Sequence, residues 1–135
     1  MKFKYKKCLD GQLRPVIAIK LKSGPAVVDY EVLVDSGADL CIFHAEMAEL
    51  LGIDITKGKP AHVFGVGGKA SVYYLHPIEI EVGGWTYKIE AGFMPSVSGH
   101  MMRYGLVGQK GFFDVFIVKF NLLKEEIELK QRNSI

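Results

Sequence analysis

Hydrophobic and polar residues alternate along this chain in short runs, and turns containing glycine separate the runs. Val16 to Lys22 and Val27 to Val34 are rich in branched aliphatic residues. Ser23-Gly24-Pro25 between them is a turn signal, so the two segments read as antiparallel strands joined tightly. The alternation is cleanest in Ile78-Glu79-Ile80-Glu81-Val82 and Trp85-Thr86-Tyr87-Lys88-Ile89-Glu90, which flank Gly83-Gly84. That pattern predicts a hairpin with one face in the core and the other in water. Phe116 to Phe120 and Glu125 to Leu129, around Asn121-Leu122-Leu123-Lys124, predict another hairpin near the end. Helices should be few. Ala45 to Leu51 uses good helix formers, puts Met47, Leu50 and Leu51 on one face and stops at Gly52. Gln109 to Asp114 is expected to form a second short helix that carries Phe112 and Phe113 into the core.

Many short strands with turns between them are the pattern of an all-β sandwich or barrel. The chain has 135 residues, 49% of them hydrophobic. One core fits that length, so residues 1–135 are expected to make a single domain. The net charge is +2 with both signs mixed along the chain, and this gives no large field of one sign. Lys2, Lys4, Lys6 and Lys7 cluster at the start without any nucleic-acid motif and read as a solvated terminal segment. No apolar stretch reaches the roughly 20 residues of a membrane span, and Pro15 to Ile19 is too short for a signal peptide. Cys8 and Cys41 are far apart and outside any Cys-x-x-Cys pair, so they read as free thiols. The expectation is a soluble, cytoplasmic protein with no nucleic-acid or membrane partner.

Candidate chemistry enters with Val32-Leu33-Val34-Asp35-Ser36-Gly37-Ala38-Asp39. A carboxylate follows a hydrophobic strand directly, and small residues behind it let the backbone turn and a ligand approach. Asp, Ser and Gly are also common turn residues, so the triplet alone could be a turn. Two further segments agree with a site. Phe64-Gly65-Val66-Gly67-Gly68-Lys69 lies between extended stretches and reads as a Gly-rich hairpin tip able to lay backbone donors over a ligand. Tyr104-Gly105-Leu106-Val107-Gly108 places two apolar residues before a glycine.

In order and spacing, Asp35-Ser36-Gly37 with Ala38, the flap-like Gly65-Val66-Gly67-Gly68, and Leu106-Val107-Gly108 resemble the retropepsins, the retroviral type of aspartic protease. The resemblance spans most of the chain. It implies an all-β fold, a small closed β-barrel of the retropepsin type with one or two short helices. It also implies a homodimer that pools one Asp35 from each subunit, because only one such triplet is present and a pepsin-like enzyme carries two. One Asp35 would deprotonate a water while its partner hydrogen-bonds the scissile carbonyl. Ser36 would brace the two loops across the dimer, and Gly37 would accept from the substrate backbone. Gly65, Val66, Gly67 and Gly68 would close over a peptide, with Ala38, Asp39 and Leu106 also at the substrate. No cofactor or metal is implied. Retroviral enzymes carry an arginine after the Leu106-Val107-Gly108 element, paired with the residue equivalent to Asp39. Gln109 stands there in this chain, as a neutral amide able to bond Asp39 but not as a charged fork. The glycine in Gln109-Lys110-Gly111-Phe112-Phe113-Asp114 looks more like bacterial and archaeal relatives.

Other chemistries fit worse. Gly65-Val66-Gly67-Gly68-Lys69-Ala70 matches a dinucleotide pattern, but Ser71-Val72-Tyr73-Tyr74-Leu75 behind it is β-forming and offers no helix N-terminus for a pyrophosphate. A P-loop fails at Val63 and Ala70. His44, His62, His76 and His100 lack ligand spacing, and Ser36 lacks the preceding glycine of a nucleophile elbow. Asp29, Asp54 and Asp114 lack the Asp-Ser-Gly context of a second catalytic carboxylate. The remaining alternative is a dimeric peptide-binding or scaffold module of the same fold with weak catalysis.

Overall fold

The computed structural model describes residues 1–64, 70–95 and 103–132. Three short strands, β1 (Lys2–Lys4), β2 (Lys6–Lys7) and β3 (Leu13–Arg14), precede the long β4 (Val16–Ser23) and β5 (Ala26–Val34). Then come β6 (Ile42–His44), helix α1 (Ala45–Leu50), a 3₁₀ turn (Ile55–Lys57), β7 (Lys59–Phe64), β8 (Ala70–Val82) and β9 (Trp85–Met94). The chain ends through β10 (Gly105–Val107), β11 (Phe116–Asn121) and β12 (Glu126–Gln131).

The hydrogen-bonded order β4-β5-β10-β6-β9-β8 closes into a barrel because β8 pairs with β4 as well as with β9. β7 continues the sheet beyond β8. Alternation sets the core. Ile17, Ile19 and Leu21 of β4 are buried while Ala18 between them is exposed. They meet Ile78, Ile80 and Val82 of β8 in one cluster with Phe43 and Phe93, whose rings pack edge-on at 6.0 Å. Each such side chain contributes roughly 1.5–3 kcal/mol by leaving water.

Pro77 sits inside β8 without breaking it. On one side β8 pairs with β9 from Tyr74 to Val82, and on the other it pairs with β7 up to Leu75 and with β4 from Glu79. Pro77 falls in the gap between those two neighbours, where a strand loses least by lacking an N–H donor.

Two local expectations are corrected. Leu50 is 61% exposed, and α1 turns Met47, Ala48 and Leu51 inward instead. Gln109 to Asp114 forms no α-helix. Gly111 adopts φ +102°, and Phe113 N–H and Asp114 N–H reach back to Gly108 O and Gln109 O at 3.1 and 3.0 Å, five residues each. Phe112 still enters the core, and Phe113 packs half-buried against it. Lys2, Lys4 and Lys7 are exposed, as the reading of a solvated segment expects, but the segment is also ordered. Phe3 and Tyr5 alternate with them and pack on the core, β1 pairs with β12, and Lys6 Nζ reaches Glu31 at 2.6 Å.

Candidate active site

β10 lies between β5 and β6, parallel to the first and antiparallel to the second through Leu106↔Ile42. The chain leaving β5 at Val34 must therefore pass around the end of β10 to reach β6. Residues 35 to 41 are that passage, and Asp35 is its first residue.

The passage is tied down by backbone bonds at Asp35, Ala38 and Asp39. Asp35 N–H donates to Val107 O at 3.0 Å, which carries the β5–β10 pairing one residue past the strand. Ala38 N–H returns to Asp35 O at 3.2 Å, so the Asp-Ser-Gly triplet closes as a tight turn. Gln109 N–H donates to Ala38 O at 2.8 Å and Lys110 N–H to Asp39 O at 2.9 Å, and Leu40 bridges Lys110. The loop and the segment after β10 are thus zipped together.

Within the turn, the Asp35 carboxylate accepts Gly37 N–H on Oδ1 at 2.9 Å, which selects its orientation. A Cβ on Gly37 would stand 3.2 Å from that oxygen, so a side chain there would crowd the carboxylate. Asp35 is half-buried, whereas Ser36, Gly37 and Asp39 are exposed and Ala38 and Leu106 half-buried. Asp35, Ser36, Gly37, Ala38 and Asp39 share the loop, and Leu106 lies on the strand it wraps. The expected Gly65, Val66, Gly67 and Gly68 lie outside the described residues, though β7 and β8 pair as arms as far as Phe64↔Ala70.

Two contributors were not foreseen. The Gln109 amide does not go to Asp39: its Nε2 donates to Ser36 O at 2.6 Å and clamps the triplet from below the loop. An amide can serve any nearby carbonyl, so the sequence could not choose between these acceptors. Gly108 is the second. A Cβ there would collide with the Ala38 carbonyl and come within 2.7 Å of Leu40 O, so only glycine lets the loop approach the end of β10 this closely. Its place at the end of Leu106-Val107-Gly108 was the available signal. Behind the loop, Cys41 is fully buried, its thiol pushed up to about 11 by burial, with Sγ 3.6 Å from Lys110 O. Cys8 and Cys41 are both free. Among the described residues, no three His, Cys, Asp or Glu side chains gather as a metal site would require, and no helix is long and apolar enough to cross a membrane.

A closed barrel whose wrapped loop begins with a half-buried aspartate is the architecture of a retropepsin-like aspartic protease. A retropepsin-like aspartic protease from Rickettsia conorii has this fold, with TM-score 0.68 at 18% identity over 96% of this chain and 89% of that one. EIAV protease, solved with an inhibitor, matches with TM-score 0.53 at 19% identity over 71% of this chain and 82% of that one. The family model described as aspartyl protease matches residues 19–110, from β4 to just beyond β10, and the chain belongs to that family. No curated protein sequence matches it.

Proposed function

We propose that the chain is an aspartic endopeptidase that works as a homodimer, with Asp35 of each subunit forming one catalytic pair. The observation that carries this reading is the fixed, half-buried Asp35 carboxylate at the head of a zipped loop, present once per chain. A single carboxylate cannot serve as both acid and base in one step. Two brought together can, because two like charges in contact do not both ionise, so one carboxyl keeps a proton while the other stays charged. The charged Asp35 takes a proton from a water, and the protonated one donates to the scissile carbonyl oxygen. The water adds to the carbonyl carbon, and collapse of the adduct passes a proton to the leaving nitrogen.

The rest of the site supports that chemistry. Gly37 N–H holds Asp35 Oδ1, which leaves the other oxygen for the water. In this reading Ser36 braces the partner loop, the Gly37 carbonyl accepts from the substrate backbone, and Ala38, Asp39 and Leu106 flank the bound peptide. In the same reading Gly65 to Gly68, which lie outside the described residues, would cover the peptide and exclude water.

The test is cleavage of an extended-peptide library by wild type and Asp35→Asn, from acidic to neutral pH, across protein concentrations that span dimer dissociation. Wild-type specific activity should fall on dilution, and Asp35→Asn should lose cleavage while still dimerising. Equal peptide binding by both proteins with cleavage by neither would establish the binding-module alternative instead.

A further inference from the structure

A second polar cluster is built around Cys8, in the turn between β2 and β3. There Cys8 N–H donates to Gln12 O at 2.8 Å and Gly11 N–H returns to Cys8 O at 2.9 Å, which fixes the backbone that carries the thiol. Cys8 is only 6% exposed and lies at the floor of a pocket of about 290 Å³, walled by Leu9, Asp10, Arg14, Arg103 and Tyr104. The wall joins distant parts of the chain, since Arg14 ends β3 and Tyr104 immediately precedes β10.

The polar groups of that wall converge on the sulfur. The Tyr104 hydroxyl and the Arg14 guanidinium both act as hydrogen-bond donors toward it. Arg14 is held independently by a two-pronged bond to Asp10, at 2.8 Å to Oδ1 and 2.6 Å to Oδ2. Lys6 Nζ stands 5.7 Å from the centre of the Tyr104 ring while bonding Glu31. The charges around the sulfur are therefore Arg14, Lys6 and Arg103 against Asp10, with Glu31 taken up by Lys6. Donors and cations favour a thiolate over a thiol. Tyr104 first and Arg14 second hold the Cys8 thiol below its ordinary 9.0, against burial and Asp10. The competing contact, in which the thiol donates to Lys6 O, is long at 3.7 Å. Cys41 is the opposite case in the same chain: fully buried, near the Asp114 carboxylate, and pushed up to about 11 chiefly by burial.

We infer that Cys8 is a modification site, a peroxide-reactive thiol that is oxidised to a sulfenic acid within this pocket. The thiolate sulfur attacks one oxygen of hydrogen peroxide, so an S–O bond forms and the O–O bond breaks. Sulfur gives up two electrons and the peroxide takes them. The departing hydroxide receives a proton from the Tyr104 hydroxyl, which solvent then restores, leaving water and Cys8 sulfenic acid. The donors that hold the thiolate, Tyr104 and Arg14, also meet the negative charge as it moves to the leaving oxygen. Narrow access to the sulfur suits so small an oxidant better than a bulky disulfide. Nothing in this step uses Asp35, so the inference stands apart from the protease reading.

The native full chain is treated with hydrogen peroxide in the presence of dimedone, which captures sulfenic acids, and the peptides carrying Cys8 and Cys41 are quantified separately by mass spectrometry. Cys8 should take up dimedone while Cys41 stays unmodified, and Cys8 should react faster in the native chain than in the same chain unfolded in urea. The pH profile of Cys8 alkylation by iodoacetamide should have its midpoint below the ordinary 9.0. Tyr104→Phe keeps the ring and removes only the donor. It should raise that midpoint and slow peroxide oxidation of Cys8 by about threefold to tenfold, the loss of one hydrogen bond to a charged acceptor partly offset by a more basic sulfur. Cys8→Ser should abolish the adduct. Native Cys8 reacting no faster than Cys41 or than unfolded Cys8, or a Cys8 profile that a folded Tyr104→Phe chain does not move, would overturn the inference. The comparison of native with unfolded wild type decides the matter even where the variant does not fold.

Discussion

Replacing Gly108 by alanine probes the point where the candidate site depends most on close approach. The added carbon would meet two backbone carbonyls, Ala38 O and Leu40 O, the latter at 2.7 Å. Ordinary contact begins near 3.4 Å, so the loop must retreat by several tenths of an ångström. Neither carbonyl is a flexible side-chain end that could swing aside. Retreat strains Gln109 N–H···Ala38 O at 2.8 Å and Lys110 N–H···Asp39 O at 2.9 Å, and it drags Asp35 with them through Ala38 N–H···Asp35 O. Overpacking of this kind costs about 1–3 kcal/mol. A displacement approaching 1 Å at reacting groups costs about 10²-fold in rate. The expected outcome is a kcat/KM for peptide cleavage lowered by one to two powers of ten, together with a urea midpoint shifted by that stability loss. Wild-type kcat/KM in Gly108→Ala, with an unchanged urea midpoint, would refute the claim that this contact positions Asp35.

Two other perturbations follow from neighbouring groups. Gln109→Ala removes the 2.6 Å bond to Ser36 O and should cost about 1 kcal/mol of loop stability, or about fivefold in kcat/KM; Gln109→Glu, which sets a carboxylate against that carbonyl, should fall further, and equal activity of the two would count against the clamp. Cys41 carries a thiol whose folded pKa, about 11, exceeds its ordinary 9.0, so the folded chain keeps a proton that the unfolded chain releases. Stability from the neutral buried thiol is then full below about pH 9 and is lost as pH rises through 11, by about 3 kcal/mol in all. The difference in unfolding free energy between wild type and Cys41→Ala should shift by that direction between pH 8 and pH 10.5, and a constant difference would refute it.

Much of the barrel was legible because period-two alternation records which face of a strand is buried. Ile17, Ile19 and Leu21 could be assigned inward, and the hairpin around Gly83-Gly84 pairs Val82 with Trp85 as its turn residues require. The failures were local and had one cause. Leu50 and the Gln109 to Asp114 segment were read by helical period, but a helix of six residues is too short for its period to outvote packing. Gly111 at positive φ then ended the other before it began.

The candidate site divides along the same line. Asp35-Ser36-Gly37 after a hydrophobic run was visible in the chain order, because covalent neighbours alone bring a carboxylate and its turn donors together. What surrounds that carboxylate was not, because Val107, Gly108 and Gln109 are some seventy residues away and meet it only when β10 inserts between β5 and β6. The same holds for β11, whose composition predicted a strand but whose exposed edge exists only because β12 takes one side of it and β1 takes the far side of β12. Sequence alone determined which residues could do chemistry and which faces sought burial. Tertiary structure decided which carbonyl Gln109 would hold and which edge was left open, since those outcomes depend on distances between segments that no local pattern encodes.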